Sequence, residues 1–529
     1  MQSIGIVISL LAIAIALAQV TDRVRVPYPI LLVVVGIAVG LIPGLPQVTL
    51  HPDVAFLIFL PPVLYAAAWY TSWPDFKAAA RPISLLAIGC VLFTTTMIAV
   101  VVHYLIPGFG WPEAFVLGAI ISPPDAVAAT AATKGLGVPK RVITILEGES
   151  LVNDATGLIA YRYAIAATVT GNFIFWLAGI NFFYVAGLGI VIGLLVGVVI
   201  YYIHRITPDN ATSDTALTLV TPYVAYLVAE EFHASGVLAV VVAGLYLSPR
   251  SSEFFNSQTR IQAYAVWDMI IFILNGLIFI LIGLQLPIIL KNIEAYSVWT
   301  LLGYGTVVSL ATILVRIVWV YPGAYIPRWV SRSIREREPE TNIRSVTIVA
   351  WSGMRGIVSL AAALALPLTI GSGIDFPNRD IIIFLTFCVI FSTLVLQGLT
   401  LPALIQWLGV KPDTRHEEEE QRTRLHLASS MIEHIEENYS LGLSDEVLAQ
   451  IKGRYELRVE RIRKDNPARK LTQEQIAEFH RIQLELIRKE RELILNLRKN
   501  RKLNDEAMRR IERELDLEDS RLQLEMDQT

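Results

Sequence analysis

The 529-residue sequence has few cysteines and few charges. Its two cysteines, Cys90 and Cys388, both lie in apolar runs, which indicates buried thiols rather than a disulfide framework. Only 17% of the residues are charged, 54% are hydrophobic, and the mean hydropathy is +0.53. A soluble domain of this size would not stay in solution with that composition, so the sequence predicts a polytopic, all-α membrane protein.

The charges that do occur are concentrated near the carboxyl-terminal end. Of the 44 Lys and Arg residues, 24 follow residue 410, as do 27 of the 47 Asp and Glu residues. The preceding part contains about thirteen apolar stretches long enough to cross about 30 Å of hydrocarbon. They lie near residues 3–20, 27–43, 53–72, 82–106, 113–133, 141–166, 173–203, 214–232, 234–249, 262–290, 296–321, 343–369 and 380–408. We therefore expect a transmembrane domain at 1–410 and a second domain at 411–529.

The loop charges predict the orientation. With the amino terminus outside, fifteen Lys and Arg residues fall in cytoplasmic connections and two fall in outside connections, as the positive-inside rule requires. The first stretch could instead be a signal peptide, since Ala16-Leu17-Ala18 resembles a cleavage site. Arg23 and Arg25 follow it directly, however, and favour a retained span.

Residues 411–529 are rich in Glu, Arg and Leu and predict a helical cytoplasmic region. Thr472 and Gln475 fit a capping box, and Ile482, Leu486 and Leu493 belong to an apolar stripe on a long helix. This region has no Gly-rich phosphate loop and no Cys/His cluster, so we expect no nucleotide-sensing domain and no cofactor. Packing on itself, packing on a second protomer, and a regulatory role are all left open.

The fifth span contains the segment ISPPDAVAAT, residues 121–130. Pro123 and Pro124 remove two backbone donors and disfavour the α conformation at Ser122, so the helix is expected to break there. Irregular backbone at membrane depth is tolerated where it lines a cavity, and Asp125 follows the break directly. The alternative is a proline kink with a hydrated carboxylate.

The sixth span has three carboxylates within eight residues, Glu147, Glu149 and Asp154. An ionised group near the bilayer centre costs several kcal/mol on most scales, so at least one of them is expected to have a function. Ser150 lies one turn before Asp154 on the same helix face, and the Asn153 amide can hold a neighbouring oxygen. Asp154 thus supplies a second carboxylate at the depth of the broken fifth span.

Glu149 lies on another face of this helix and is expected to form a structural ion pair. The late spans offer two partners, Arg316 and Arg355. Arg355 lies in WSGMRGIVSLA, where Gly353 and Gly356 interrupt the twelfth span. A second interrupted helix predicts two inverted repeats whose broken helices cross at the midplane. The charged side chains of Asp125 and Arg355 would then offset the partial charges at the half-helix ends.

Five motifs in order resemble the sodium/proton antiporters of the monovalent cation:proton antiporter family, in the bacterial form with an Asn-Asp pair. The resemblance covers roughly residues 1–410. The motifs are FLPPVLYAAAW, ISPPDAVAA, GESLVNDATG, NGLIFILIGLQL and WSGMRGIVSLA. The family implies an NhaA-like antiporter fold and a homodimer with a mobile six-helix core in the cell membrane. It also implies exchange of Na⁺, Li⁺ or K⁺ for H⁺ in pH and sodium homeostasis, with neither enzymatic activity nor nucleic-acid binding.

The resemblance also assigns residues. The family's Asn-Asp pair falls on Asn153 and Asp154, which makes Asp154 the carboxylate for the transported cation or the proton. Ser150 and Asp125 complete that neighbourhood. An Asn before the Asp is similar to the electroneutral branch, in which one cation is exchanged for one proton. The family's buried ion pair maps onto Glu149 with Arg316 in preference to Arg355.

Two positions depart from the family. Pro124 stands where some relatives have a residue with a usable backbone donor, so a hydroxyl ligand must come from elsewhere, for example from Ser122. Ala66 stands where many relatives carry an acidic residue, which leaves the preference among Na⁺, K⁺ and Li⁺ open. A cation channel with the same polar cavity, and a membrane scaffold or sensor that acts through residues 411–529, are the alternative functions.

Overall fold

The computed structural model describes residues 9–17, 19, 27–42, 52–133, 136–170, 175–207, 210–291, 297–337, 342–370, 374–410, 415–439, 444–462, 473–499 and 505–526. The chain divides into two compact units, Met1–Pro412 and Asp413–Thr529. The described part is helical apart from one antiparallel pair of short strands, β1 (Thr369–Ile370) and β2 (Ile374–Asp375), in which Thr369 faces Asp375.

Helices account for most of the described residues of the first unit, because backbone groups without water must bond within their own segment. Residues 9–17 are helical. The helices that follow are α1 (Tyr28–Gly40), α2 (Pro52–Tyr70), α3 (Trp73–Ala78), α4 (Ala80–Ser84), α5 (Val91–Leu105), α6 (Trp111–Ile121), α7 (Ala126–Thr133), α8 (Lys140–Thr170), α9 (Phe175–Ile206), α10 (Ala211–Glu231), α11 (Gly236–Leu247), α12 (Ser251–Phe254), α13 (Ser257–Lys291), α14 (Val298–Val330), α15 (Arg332–Arg337), α16 (Ile343–Trp351), α17 (Ile357–Leu364), α18 (Arg379–Ser392) and α19 (Gly398–Leu408). A π-helical turn joins α4 to α5, another joins α18 to α19, and a 3-10 turn joins α11 to α12.

Many of these helices can cross a bilayer. Among the described residues, six helical runs are long and apolar enough by length and composition, and two shorter apolar helices accompany them. The six runs are Ala80–Leu105, Trp111–Thr133, Gly179–Ile206, Ser257–Leu290, Trp299–Val330 and Arg379–Leu408. Helix also covers the other predicted stretches after residue 27, while the first stretch is described only at 9–17 and 19. The protein is therefore an all-helical, multi-span membrane protein.

Helix α8 lies between the two apolar cores of the first unit. Its Leu146 and Tyr161 belong to the larger core, which gathers side chains from α5, α6, α13 and α18. Its Leu151 and Ala155 belong to the smaller core, which gathers side chains from α2, α9 and α11. The carboxylates of the sixth predicted span are consequently held between two packed groups of helices.

Two helices are interrupted where the sequence predicts breaks. Helix α6 ends at Ile121 and α7 begins at Ala126, while α16 ends at Trp351 and α17 begins at Ile357. A proline pair does not by itself end a helix, because Pro61 and Pro62 lie inside the continuous helix α2. The first break persists because other side chains bond the backbone groups that it frees.

The second unit consists of α20 (Arg415–Tyr439), α21 (Asp445–Ile462), α22 (Gln473–Lys499) and α23 (Asp505–Met526). Ile487 and Ile494 of α22 pack with Leu515 and Leu522 of α23. The predicted stripe at Ile482, Leu486 and Leu493 is instead 46%, 57% and 61% exposed, because a step of one residue turns a side chain by about 100° around a helix. Thr472 of the predicted capping box lies outside the described residues.

Candidate ion-binding site

The two helix breaks bond directly to each other. The backbone N–H of Asp125, in the first break, donates to the Met354 carbonyl in the second at 2.7 Å. In return, Arg355 Nε donates to the Ile121 carbonyl, at the end of α6, at 3.0 Å. The cationic side chain thus meets the carbonyl end of a half-helix, where partial negative charge accumulates.

Asp125 directly precedes the half-helix α7. Its Oδ1 accepts the Val127 N–H at 2.8 Å, so the carboxylate satisfies one of the free donors at that helix start. Its Oδ2 lies against the backbone of Gly356, and any Cβ at that position would overlap the carboxylate oxygen. Glycine is therefore required at 356 if Asp125 is to keep this position.

Helix α8 docks on the first break through two polar side chains. Asn153 Nδ2 donates to the Pro124 carbonyl at 2.8 Å, which is one of the acceptors that the break frees. Ser150 Oγ accepts the Ala126 N–H at 3.3 Å. Asp154 follows on the same helix with only 7% of its surface exposed. Among the described residues, no hydrogen bond or ion pair engages its carboxylate.

A cavity of about 360 Å³ adjoins these residues. Asp125, Ser150 and Asp154 line it, and α2 and α13 contribute much of the remaining wall. The α13 wall contributes Asp268 and Asn275, while the α2 wall is mostly apolar. The cavity therefore gathers carboxylate, hydroxyl and amide oxygens within a mostly apolar enclosure, which is the donor set that hard cations prefer.

Several lining residues had no predicted role. Asp268 and Asn275 are two turns apart on α13, and Asn275 opens the motif NGLIFILIGLQL that carried part of the family resemblance. An acid inside an apolar span was the available signal for Asp268. Glu147 lines the same cavity, as does Ala66 at the position where many relatives have an acid.

Ser122 faces away from this cavity. Its hydroxyl donates to the Ala119 carbonyl at 3.1 Å and accepts from Thr95 Oγ1 at 3.2 Å. The side chain is 3% exposed and is not among the described residues that line the cavity. The structure thus brings the Ser150 hydroxyl, and not that of Ser122, to Asp125 and Asp154.

Glu149 points away from the cavity and meets Arg316 of α14. The two guanidinium nitrogens donate to the two carboxylate oxygens at 2.5 and 2.9 Å, and both side chains are 1% exposed. Arg316 also donates to the Val349 carbonyl at 3.0 Å, so the pair joins α8, α14 and α16. Arg355 bonds the carbonyls of Gly353 and Ile121 instead.

The arrangement suits a transported ion better than a resident metal. Within the described ranges, no group of three or more His, Cys, Asp and Glu side chains has the spacing of a metal site. What the cavity offers is the buried carboxylate of Asp154, which has no partner in the described part of the chain, three further carboxylates on Asp125, Glu147 and Asp268, and neutral oxygens. Such a site can bind one small cation or one proton while remaining open to exchange.

Comparisons with known proteins identify the family. Residues 6–407 match the family model described as "Sodium/hydrogen exchanger, transmembrane". An uncharacterised Na⁺/H⁺ exchanger of Mycobacterium tuberculosis is 32% identical over 98% of this chain and 96% of its own length. A sodium, potassium, lithium and rubidium/H⁺ antiporter of Bacillus pumilus is 35% identical over 72% of this chain and 58% of its own length.

A solved structure is similar as well. The sodium proton antiporter MjNhaP1 from Methanocaldococcus jannaschii at pH 8 matches with a TM-score of 0.60, covering 77% of this chain and 99% of that one. At 20% identity this likeness concerns the fold alone. The family match over most of the chain confirms the family expected from the five motifs. The chain therefore belongs to the sodium/hydrogen exchanger family and is a monovalent cation/proton antiporter, a transporter and not an enzyme.

Proposed function

We propose that this antiporter carries both of its ions on Asp154. The observation that supports this most directly is a buried carboxylate without a partner in the described part of the chain, in a cavity shared with Asp125 and Ser150. Burial without a partner makes the ionised carboxylate costly, so Asp154 is stabilised when either a proton or a cation neutralises it. The two ions then exclude each other.

The bound cation is held by oxygen atoms. Asp154 supplies the charge, and Ser150 and Asp125 supply further oxygens within the same cavity. Asn153 is neutral and donates its side-chain amide N–H to the Pro124 carbonyl, so it positions the helix break without adding charge. With a single exchanging carboxylate, one cation is exchanged for one proton and the cycle is electroneutral.

Obligatory exchange follows if the core re-orients only when Asp154 is neutral. An ionised carboxylate without a partner would have to cross the apolar part of the protein, which costs several kcal/mol. A neutralised site avoids that cost, so movement couples the two ion gradients without nucleotide hydrolysis. The Glu149–Arg316 pair, already neutral as a unit, moves as part of the rigid core.

The topology belongs to the same proposal. Thirteen spans form two inverted repeats with crossed broken helices, the amino terminus lies outside, and the protein is a homodimer in the cell membrane. Residues 1–410 carry transport, and the helical region 411–529 lies in the cytoplasm. Na⁺ is the principal cation, with Li⁺ and K⁺ as further substrates, consistent with the cations in the name of the Bacillus pumilus relative. Exchange then serves pH and sodium homeostasis.

The test is transport by Asp154→Asn. In everted membrane vesicles that hold a pH-sensitive dye and an acid interior, Na⁺ should cause dequenching with the wild-type protein and none with Asp154→Asn. Asp380→Asn is the matched control, because Asp380 is 45% exposed and does not line the cavity. Dequenching by folded Asp154→Asn at the wild-type level would refute the assignment.

A further inference from the structure

Glu147 shares a helix face with the ion-binding residues. Glu147, Ser150 and Asp154 are spaced three and four residues apart on α8, and all three line the cavity of about 360 Å³. Two helical turns separate Glu147 from Asp154, which is about 10 Å at 1.5 Å per residue. Carboxylate and hydroxyl oxygens therefore follow one another along a single wall.

Glu147 also lines a second cavity, of about 570 Å³. This cavity includes Gly137 and Val138, just before α8 begins, so it lies at the end of α8 that the proposed topology makes cytoplasmic. Three residues line both cavities, Val127, Thr130 and Glu147. Of these three, only Glu147 is ionisable. A carboxylate thus stands where the two cavities meet.

The Glu147 carboxylate is available to a cation. Among the described residues, no hydrogen bond or ion pair involves it, whereas Glu149, two residues later, is committed to Arg316. The lysine that begins the same helix, Lys140, is paired with Asp75 at 3.0 Å. The charge of Lys140 is therefore compensated by another carboxylate.

We propose that Glu147 is the entry carboxylate of the exchanger, which binds the incoming monovalent cation where the two cavities meet and passes it to Asp154. The inference rests on the proposed function, since it requires Asp154 to be the destination. The physical basis is electrostatic focusing, because an ionised group in a cleft with low-dielectric walls raises the local concentration of counter-ions. Transport then begins from a concentrated supply rather than from bulk solution.

The test compares the half-saturating Na⁺ concentration of Glu147→Gln with that of the wild type in everted vesicles. We expect a rise of about fivefold to tenfold at low ionic strength, with the maximal rate within about twofold. Choline chloride at about 0.5 M should shrink the difference, because screening shortens the range of the field. Glu147→Asp keeps the charge and should recover most of the apparent affinity. Glu336→Gln is the matched control, because the Glu336 carboxylate is exposed and Glu336 is not among the described residues that line either cavity.

The side of the membrane gives an independent readout. In right-side-out vesicles, where Na⁺ reaches the opposite face, Glu147→Gln should change the half-saturating concentration by less than about twofold. An unchanged value in everted vesicles, an equal change at both faces, or a change that salt does not reduce would overturn the inference. If the wild type exchanges ions and Asp154→Asn does not, such a result leaves the proposed function intact. Exchange by Asp154→Asn would instead refute the proposed function itself.

Discussion

Removing one partner of the Glu149–Arg316 pair should destabilise the membrane unit strongly. In Glu149→Gln, the Arg316 guanidinium stays buried at 1% exposure, loses its counter-charge, and keeps the Val349 carbonyl as an acceptor. A buried charge whose partner is removed costs about 3–5 kcal/mol. The perturbation is therefore large although the substitution changes only one oxygen to an amide nitrogen.

The chain provides a matched exposed pair. One guanidinium nitrogen of Arg162 contacts both carboxylate oxygens of Glu230 at 2.8 Å, but these side chains are 48% and 30% exposed. Exposed pairs of this kind contribute about 0–1 kcal/mol, because water and salt screen them. Glu230→Gln is thus the same chemical change without burial, and the difference between the two variants measures the effect of burial.

The assay is the loss of monodisperse protein after heating in detergent, followed by size-exclusion chromatography. Glu149→Gln should lower the apparent melting temperature by about 5–10 °C, and Glu230→Gln by less than about 2 °C. Combining Glu149→Gln with Arg316→Met should recover more than half of the loss, because no charge is then left unpaired. A melting temperature of Glu149→Gln equal to that of the wild type would refute the reasoning, as would a double variant less stable than either single one.

Two further predictions concern the site. Gly356→Ala should abolish exchange in the dequenching assay while the protein remains folded, because the added Cβ would overlap the Asp125 carboxylate. Gly303→Ala is the control and should exchange like the wild type, because no atom lies within 4 Å of its added Cβ. The half-saturating Na⁺ concentration should rise as the pH falls, by up to about tenfold per pH unit, because one proton and one cation compete for Asp154. A maximal rate that falls with acidification while the half-saturating concentration stays constant would contradict competition.

The sequence predicted the helices well because their signals are local. Apolar runs bounded by charged loops gave spans whose ends mostly agree with the observed helices to within a few residues, as for 82–106 and the run Ala80–Leu105. The break around Pro123 and Pro124 was also predicted from proline chemistry, although Ser122 keeps the αR conformation that this chemistry disfavours. That chemistry is insufficient, however, since Pro61 and Pro62 leave α2 continuous. The two proline pairs differ in which side chains from elsewhere in the chain bond to the backbone beside them.

The same distinction applies to the candidate site. The order Glu147, Ser150, Asp154 on one helix face follows from spacing alone, because 3.6 residues per turn fix which side chains align. Whether a hydroxyl or an amide from another helix joins them depends on packing. Packing excluded Ser122 from the cavity and brought in Asp268 and Asn275. An acid inside an apolar span marks Asp268 as unusual, but no local pattern could place it in this cavity.

By itself, then, the sequence determined the class of protein, the positions of its helices, and which residues of α8 share a face, since each depends on neighbours a few residues apart. The family resemblance favoured Arg316 as the partner of Glu149, but only the tertiary structure brings these two side chains together and bonds Arg355 to the end of α6. Glu149 and Arg316 are 167 residues apart in the sequence, and Ile121 and Arg355 are 234 apart. From the residue types alone, either arginine could have paired with Glu149. The contact between the two interrupted helices decides which arginine pairs with Glu149, because a buried charge pairs with the partner that packing places within hydrogen-bond distance.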